Sequence, residues 1–240
     1  MVKHVRVWLW VACLLVVIGG SASAAGKVLA VATTDADLVT TFLQNAGEKP
    51  SDYTVVSSLD QLEKAWAQRD QYGVLTFSYH GFLNDAGLVD FFTKHGQEVV
   101  DWVKAGGGIF LTTRDDPQDN TIPSLFDVHY TGGGATASTF DIKDAAHPVF
   151  NDTYKIDTKA LEAAISAAPD VSLVDAGVAS NNPAIKVIAT MPGSDDPALV
   201  AGQIGKGKVV FGGVEFFWHD YTQVEQDLHL ISNIIHWLQQ

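Results

Sequence analysis

Cysteine is almost missing from this chain of 240 residues: its single example, Cys13, sits in an apolar run near the N-terminus. Beyond that run there can be no disulfide framework, no thiolate metal site and no cysteine nucleophile. Positive charge is scarce too. Fifteen Lys and Arg face 28 Asp and Glu, for a formal charge of −13. An acidic surface of this kind repels phosphate backbones and anionic lipid, which argues against nucleic-acid and membrane-surface partners. Past residue 24 no apolar run is long enough to cross a bilayer, and the sequence shows no repeat, linker or low-complexity tract. HExxH, GxSxG and a dinucleotide glycine fingerprint are all lacking.

The first 24 residues have the layout of a secretory signal peptide. Lys3 and Arg6 form a positive n-region, Val7 to Ile18 an apolar core, and Ala22-Ser23-Ala24 a small-x-small cleavage site without a lipobox before Cys13. Cleavage there leaves 216 residues (240 − 24), with a formal charge of −15 (−13 − 2). The expectation is an exported protein, secreted or periplasmic, with one domain over 25–240. A 47% hydrophobic composition excludes general disorder and supplies a core.

Short apolar runs alternate with helical periodicity. Strands are predicted at 28–32, 53–56, 73–78 and 109–113, with helices at 36–45, 59–68 and one marked by Leu88, Phe92, Val99 and Val103. Continuous apolar strands between amphipathic helices predict a doubly wound, mostly parallel sheet covered on both faces. Further strands are expected at 128–130, 139–142, 171–174, 186–190, 198–203 and 208–212, the last two forming an antiparallel hairpin across Ile204–Gly207. A final helix carries Val224, Leu228, Ile231, Ile235 and Leu238, with Thr222 and Glu225 spaced as a capping box.

Three pieces carry a resemblance. Val99–Leu111 (VVDWVKAGGGIFL) gives a helix, a glycine run and a strand; Ala146–Phe150 (AHPVF) holds a His-Pro pair; Gly205–Phe211 (GKGKVVF) precedes a loop and the terminal helix. In this order they resemble the class I glutamine amidotransferase-like superfamily, most of all its trehalose-utilisation-like branch. The resemblance implies a flavodoxin-like α/β sandwich with a cysteine after a central strand and a histidine after a late one. His219 matches the histidine position. At the cysteine position the chain reads Thr112-Thr113-Arg114-Asp115-Asp116, so glutaminase chemistry is not expected.

In a doubly wound sheet, ligands bind beyond the carboxyl ends of the strands. Asp35 follows the first strand, Tyr79 and His80 the third, Arg114 and Asp115 the fourth, and Glu215, Trp218 and His219 the late one. Asp35, Tyr79, His80, Arg114 and Trp218 are therefore the candidate ligand-binding residues. Arg114, one of two arginines after the leader, could clamp a carboxylate or pair with Asp115 or Asp116. Phe216, Phe217, Trp218 and Tyr221 suit either a stacking platform for a sugar ring or a plug of core. No cofactor or metal is expected. The leading reading is an exported, non-catalytic ligand-binding or interaction module for a small polar ligand, such as a carbohydrate, or for a protein partner. The alternative is a hydrolase using His219 with Glu215 or Asp115 as acid–base residues.

Overall fold

The structure is a computed structural model and describes residues 26–78, 85–112, 117–131, 136–167, 172–215, 217 and 222–240. In chain order the elements are β1 (Lys27–Val31), α1 (Ala36–Asn45), β2 (Tyr53–Val56), α2 (Leu59–Trp66), β3 (Tyr72–Phe77), α3 (Ala86–Lys94), α4 (Gly96–Ala105) and β4 (Gly108–Thr112). There follow β5 (Val128–Tyr130), β6 (Asp141–Ile142), α5 (Pro148–Asn151), α6 (Thr158–Ser166), β7 (Val178–Ser180), β8 (Ile185–Thr190), β9 (Pro197–Ile204), β10 (Gly207–Gly212) and α7 (Glu225–Gln239).

Eight strands form one sheet in the order β2-β1-β3-β4-β10-β9-β8-β6, while β5 and β7 pair separately. The run from β2 to β10 is parallel, and β10, β9, β8 and β6 continue it antiparallel. This is the expected α/β architecture, flavodoxin-like, with helices on both faces and a hairpin near the C-terminus. At the hairpin turn Gly205 takes φ +65, and a Cβ there would lie 2.7 Å from the Lys104 carbonyl oxygen.

Side-chain alternation divides the core in two. Val28, Ala30, Val74, Phe110 and Val210 point to one face, where they meet Val39 and Phe42 of α1 and Leu230, Ile231, Ile234 and Leu238 of α7. Leu29, Val31, Leu75, Phe77, Ile109 and Phe211 point to the other, against Trp66 of α2, Phe91 and Phe92 of α3, and Trp102 of α4.

The structure corrects several sequence expectations. The helix expected through Leu88 and Val103 is two helices, broken at His95. Gly96 explains the break: it is buried, and a Cβ there would lie 2.9 Å from Leu125 Cδ2. The final helix starts later than the capping box requires. The N-cap residue of α7 is Val224 without a side-chain cap, and the Thr222 carbonyl accepts from Asn45 Nδ2 at 2.7 Å. The buried stripe of α7 runs through Asp227, Leu230, Ile231, Ile234, Ile235 and Leu238, while Val224 and Leu228 are only partly buried. α7 is wedged between the sheet, α5 and α6, so its buried face is broader than a single apolar stripe. Val174 makes isolated bridges to Ala137 and Val214 rather than a strand. Strand β7 and helices α5 and α6 had no clear sequence signal.

Candidate functional site

The connections out of β1 diverge to the two sides of the sheet, since β2 lies on one side of β1 and β3 on the other. Such a switch point opens a crevice at the carboxyl ends of the strands. Continuing the β1–β3 register by one residue puts Ala32 beside Ser78, where the Ser78 N–H donates to the Val31 carbonyl at 2.8 Å. Continuing the β3–β4 register by two sets Ser78 beside Thr112, and Thr112 pairs directly with Gly212 of β10. A row of Ala32, Ser78, Thr112 and Gly212 thus crosses four strands on the α1–α7 face, neighbours about 4.8 Å apart. Every member is small, and every one is buried.

Two members of this row carry hydroxyls that are buried and without a hydrogen-bond partner among the described residues, Ser78 Oγ and Thr112 Oγ1. Thr76 Oγ1, one step below Ser78 on the same face, is in the same condition, as is Thr33 Oγ1 at the tip of β1. A buried hydroxyl left unpaired costs about 1–3 kcal/mol. Folded proteins avoid that cost almost everywhere. Here the cost gathers at one end of one sheet.

The described surroundings pack against this edge without pairing these oxygens. The chain after Leu173 runs so close to β10 that a Cβ on Gly213 would lie 1.8 Å from the Ala176 carbonyl oxygen. Beyond β10, the N–H of buried Glu215 donates to the Leu173 carbonyl at 2.7 Å. Phe217 is buried with φ +63, a left-handed conformation that costs an aromatic residue about 1–3 kcal/mol. Its ring packs edge-on to Phe42 at 5.4 Å and beside Phe110 at 6.0 Å. For Phe217, therefore, the plug-of-core reading describes the geometry. Asp227 in the first turn of α7 is fully buried, with no partner among the described residues for either carboxylate oxygen. Burial alone pushes its pKa well above the ordinary 3.8.

On the β5 side, the Tyr130 hydroxyl donates to the Leu111 carbonyl at 3.1 Å, and the Asn120 side chain accepts from the Tyr130 N–H at 2.7 Å. Burial, reinforced by Asp119, holds the Tyr130 phenol well above its usual range.

Among the residues singled out from sequence, Asp35 occupies the N-cap position of α1 and accepts from Thr34 Oγ1 at 2.9 Å. It does not cap the helix with its side chain. Glu215 lies just past the carboxyl end of β10. Tyr79, His80, Arg114, Asp115, Trp218 and His219 lie outside the described residues. His147 caps α5, its Nδ1 accepting from the Val149 N–H at 3.3 Å, and burial lowers its pKa. On α7, His229 stacks on Tyr154 at 3.8 Å and His236 pairs with Asp152, away from the crevice. No group of three or more His, Cys, Asp or Glu among the described residues could hold a metal ion. Nor is any helix among them long and apolar enough to cross a membrane.

Ser78, Thr112 and Asp227 were not legible as site residues from sequence. Residue parity on two neighbouring strands could have found the first two. No pattern marks Asp227, because a charged residue is normally evidence of a solvated helix face.

No family model matches the chain, and no curated protein is similar to it in sequence. Solved structures are similar in fold. One cytoplasmic protein from Salmonella typhimurium LT2 is 14% identical over 89% of this chain and 100% of its own, with a TM-score of 0.56. A second Salmonella typhimurium cytoplasmic protein is 15% identical over 88% of this chain and 98% of its own, with a TM-score of 0.54. A glutamine amidotransferase from Thermotoga maritima is 9% identical over 90% of this chain and 99% of its own, with a TM-score of 0.52. At such identities the likeness speaks to architecture alone: the chain has an amidotransferase-like, flavodoxin-like fold.

Proposed function

We propose that this protein is an exported, non-catalytic binding module that holds a small polar ligand, such as a carbohydrate, in the crevice at the carboxyl ends of β1, β3 and β4. One observation carries the reading. Buried hydroxyls of Thr33, Ser78 and Thr112, without a hydrogen-bond partner among the described residues, stand at the tips of three adjacent strands. Hydroxyls both donate and accept, so this set suits a ligand rich in hydroxyls. Ligand hydroxyls would supply the hydrogen bonds that these oxygens do not make with the described residues. The fold's glutaminase chemistry needs a thiolate, and the chain has no cysteine beyond Cys13. His147-Pro148 and the Gly205–Phe211 segment are the sequence pieces on which the likeness to the trehalose-utilisation-like branch rests.

The test is a thermal-shift screen of residues 25–240 with neutral sugars, small carboxylates and divalent metals. A sugar-specific rise in Tm, lost on Ser78→Ala with Thr112→Val, is expected. A flat response to every sugar would overturn the reading.

A further inference from the structure

Asp227 stands apart from every other carboxylate described. It is fully buried, neither oxygen has a partner among the described residues, and burial is the one cause of its raised pKa. A buried carboxyl in this condition is ordinarily matched by a cation or by hydrogen-bond donors. Its own helix does not supply them. Asp227 is the third residue of α7, yet accepts from none of the free amides there.

Its position follows from the stripe it shares with Leu230, Ile231, Ile234 and Leu238, which packs on the sheet beside β3, β4 and β10. Leu238 lies against Gly108 at the amino end of β4, within 2.8 Å of where a Cβ would be. Lys208 Nζ, at the start of β10, donates to the Trp237 carbonyl at 2.8 Å. Asp227 lies eleven residues up the helix from Leu238, about 16 Å along its axis. From Gly108 to Thr112, β4 rises about 13 Å. The carboxyl is thus carried toward the end of the sheet where Ser78 and Thr112 stand, and onto the same face.

We propose that Asp227, with the hydroxyls of Ser78, Thr112 and Thr76, is a buried site for a monovalent cationic group, the ammonium of a small amine or an alkali ion. This rests on the crevice reading above and specifies the inner end of its ligand. Charge sets the class: one carboxylate and three hydroxyls balance a single positive charge, and no group of three or more His, Cys, Asp or Glu among the described residues could hold a divalent ion. The formal charge of −13 also concentrates cations around the molecule. On binding, the Asp227 carboxyl gives up its proton to solvent and its carboxylate pairs with the guest, so that charge balances within the site.

The experiment measures Tm of residues 25–240 with methylammonium, sodium or potassium chloride at equal ionic strength, and with neutral sugars, for wild type, Asp227→Asn and the Ser78→Ala, Thr112→Val double variant. A rise with one or more of the cations in wild type, lost in Asp227→Asn, is expected. Methylammonium alone identifies an amine site, and an equal response to sodium or potassium an alkali-ion site. The apparent affinity should also tighten about tenfold per pH unit while the carboxyl is protonated in the free protein. An absent cation response, or an equal one in Asp227→Asn, would overturn the assignment. Should sugars shift Tm when cations do not, the crevice reading stands and the cation site falls. Cation shifts without sugar shifts would keep the cation site and remove the sugar ligand.

Discussion

The two faces of the central sheet solve the same packing problem differently. On the α2–α4 face, aromatic rings interlock: Phe77 meets Phe92 at 5.4 Å, Phe92 meets Phe91 at 5.0 Å, and Trp66 meets Trp102 at 5.9 Å. Its polar groups are used at the rim, where Arg69 lies over the Trp66 ring at 5.5 Å and bridges to Glu98 at 3.4 Å. The Trp66 indole nitrogen, near that same carboxylate, is also buried without a hydrogen-bond partner among the described residues. On the α1–α7 face, Thr76, Ser78, Thr112 and Asp227 are buried with nothing to bond among the described residues. One face is built mainly of packed rings, with a single such polar atom. The other gives up stability at one end, and such local cost is the usual mark of a site kept ready for something else.

Four substitutions sharpen or break that contrast. The largest loss belongs to the aromatic face, where Phe92→Ala should cost about 3–5 kcal/mol in urea unfolding, as for any fully buried phenylalanine. Asp227→Asn should act in the opposite direction. Because its folded pKa is raised, the unfolded chain loses this proton first as pH climbs past 3.8, and native stability then declines by about 1.4 kcal/mol per pH unit until the folded carboxyl also ionises. Denaturant titrations should therefore show a gain for the asparagine variant at pH 7 that disappears below pH 3.8. A variant less stable at pH 7 would mean that the carboxylate is already paired.

Thr112→Val keeps the shape and removes a hydroxyl that has no partner among the described residues, so it should be neutral or stabilising by about 1 kcal/mol. The smallest effect is Glu98→Gln. His95 hydrogen-bonds the Glu98 carboxylate and, with Arg69, lowers its pKa below the ordinary 4.5. That contribution is present above pH 4.5 and fades as pH falls through the lowered value. Solvent exposure limits it to under about 1 kcal/mol, and unfolding at pH 7 and pH 3 would show the difference.

The aromatic face was the more legible in sequence. Leu62, Ala65 and Trp66 of α2, and Leu88, Phe92, Val99 and Val103 of α3 and α4, announced their burial by helical spacing. Periodicity follows apolar side chains, and that face is built from them. It missed the His95 break because Gly96 answers to Leu125, about thirty residues away in sequence. The α1–α7 face was less legible for the same reason. Its distinguishing residues are small and polar, their significance depends on which strands adjoin, and Asp227 contradicts the pattern that locates a helix's buried side. The strand end at which the carboxyl termini gather was legible, since the order of strands and helices fixes it. Of the residues expected to line it, Glu215 stands just past β10, Asp35 sits at the N-cap position of α1, and Phe217 packs inward.

The contrast between the faces reduces to whether the hydroxyls at the carboxyl edge are unpaired in the folded protein. Urea unfolding of the Ser78→Ala, Thr112→Val double variant, without any ligand, asks this directly. The account predicts a free energy equal to wild type or higher by about 1–2 kcal/mol. A loss of more than about 1 kcal/mol would show that the fold already uses those hydroxyls, and would contradict it.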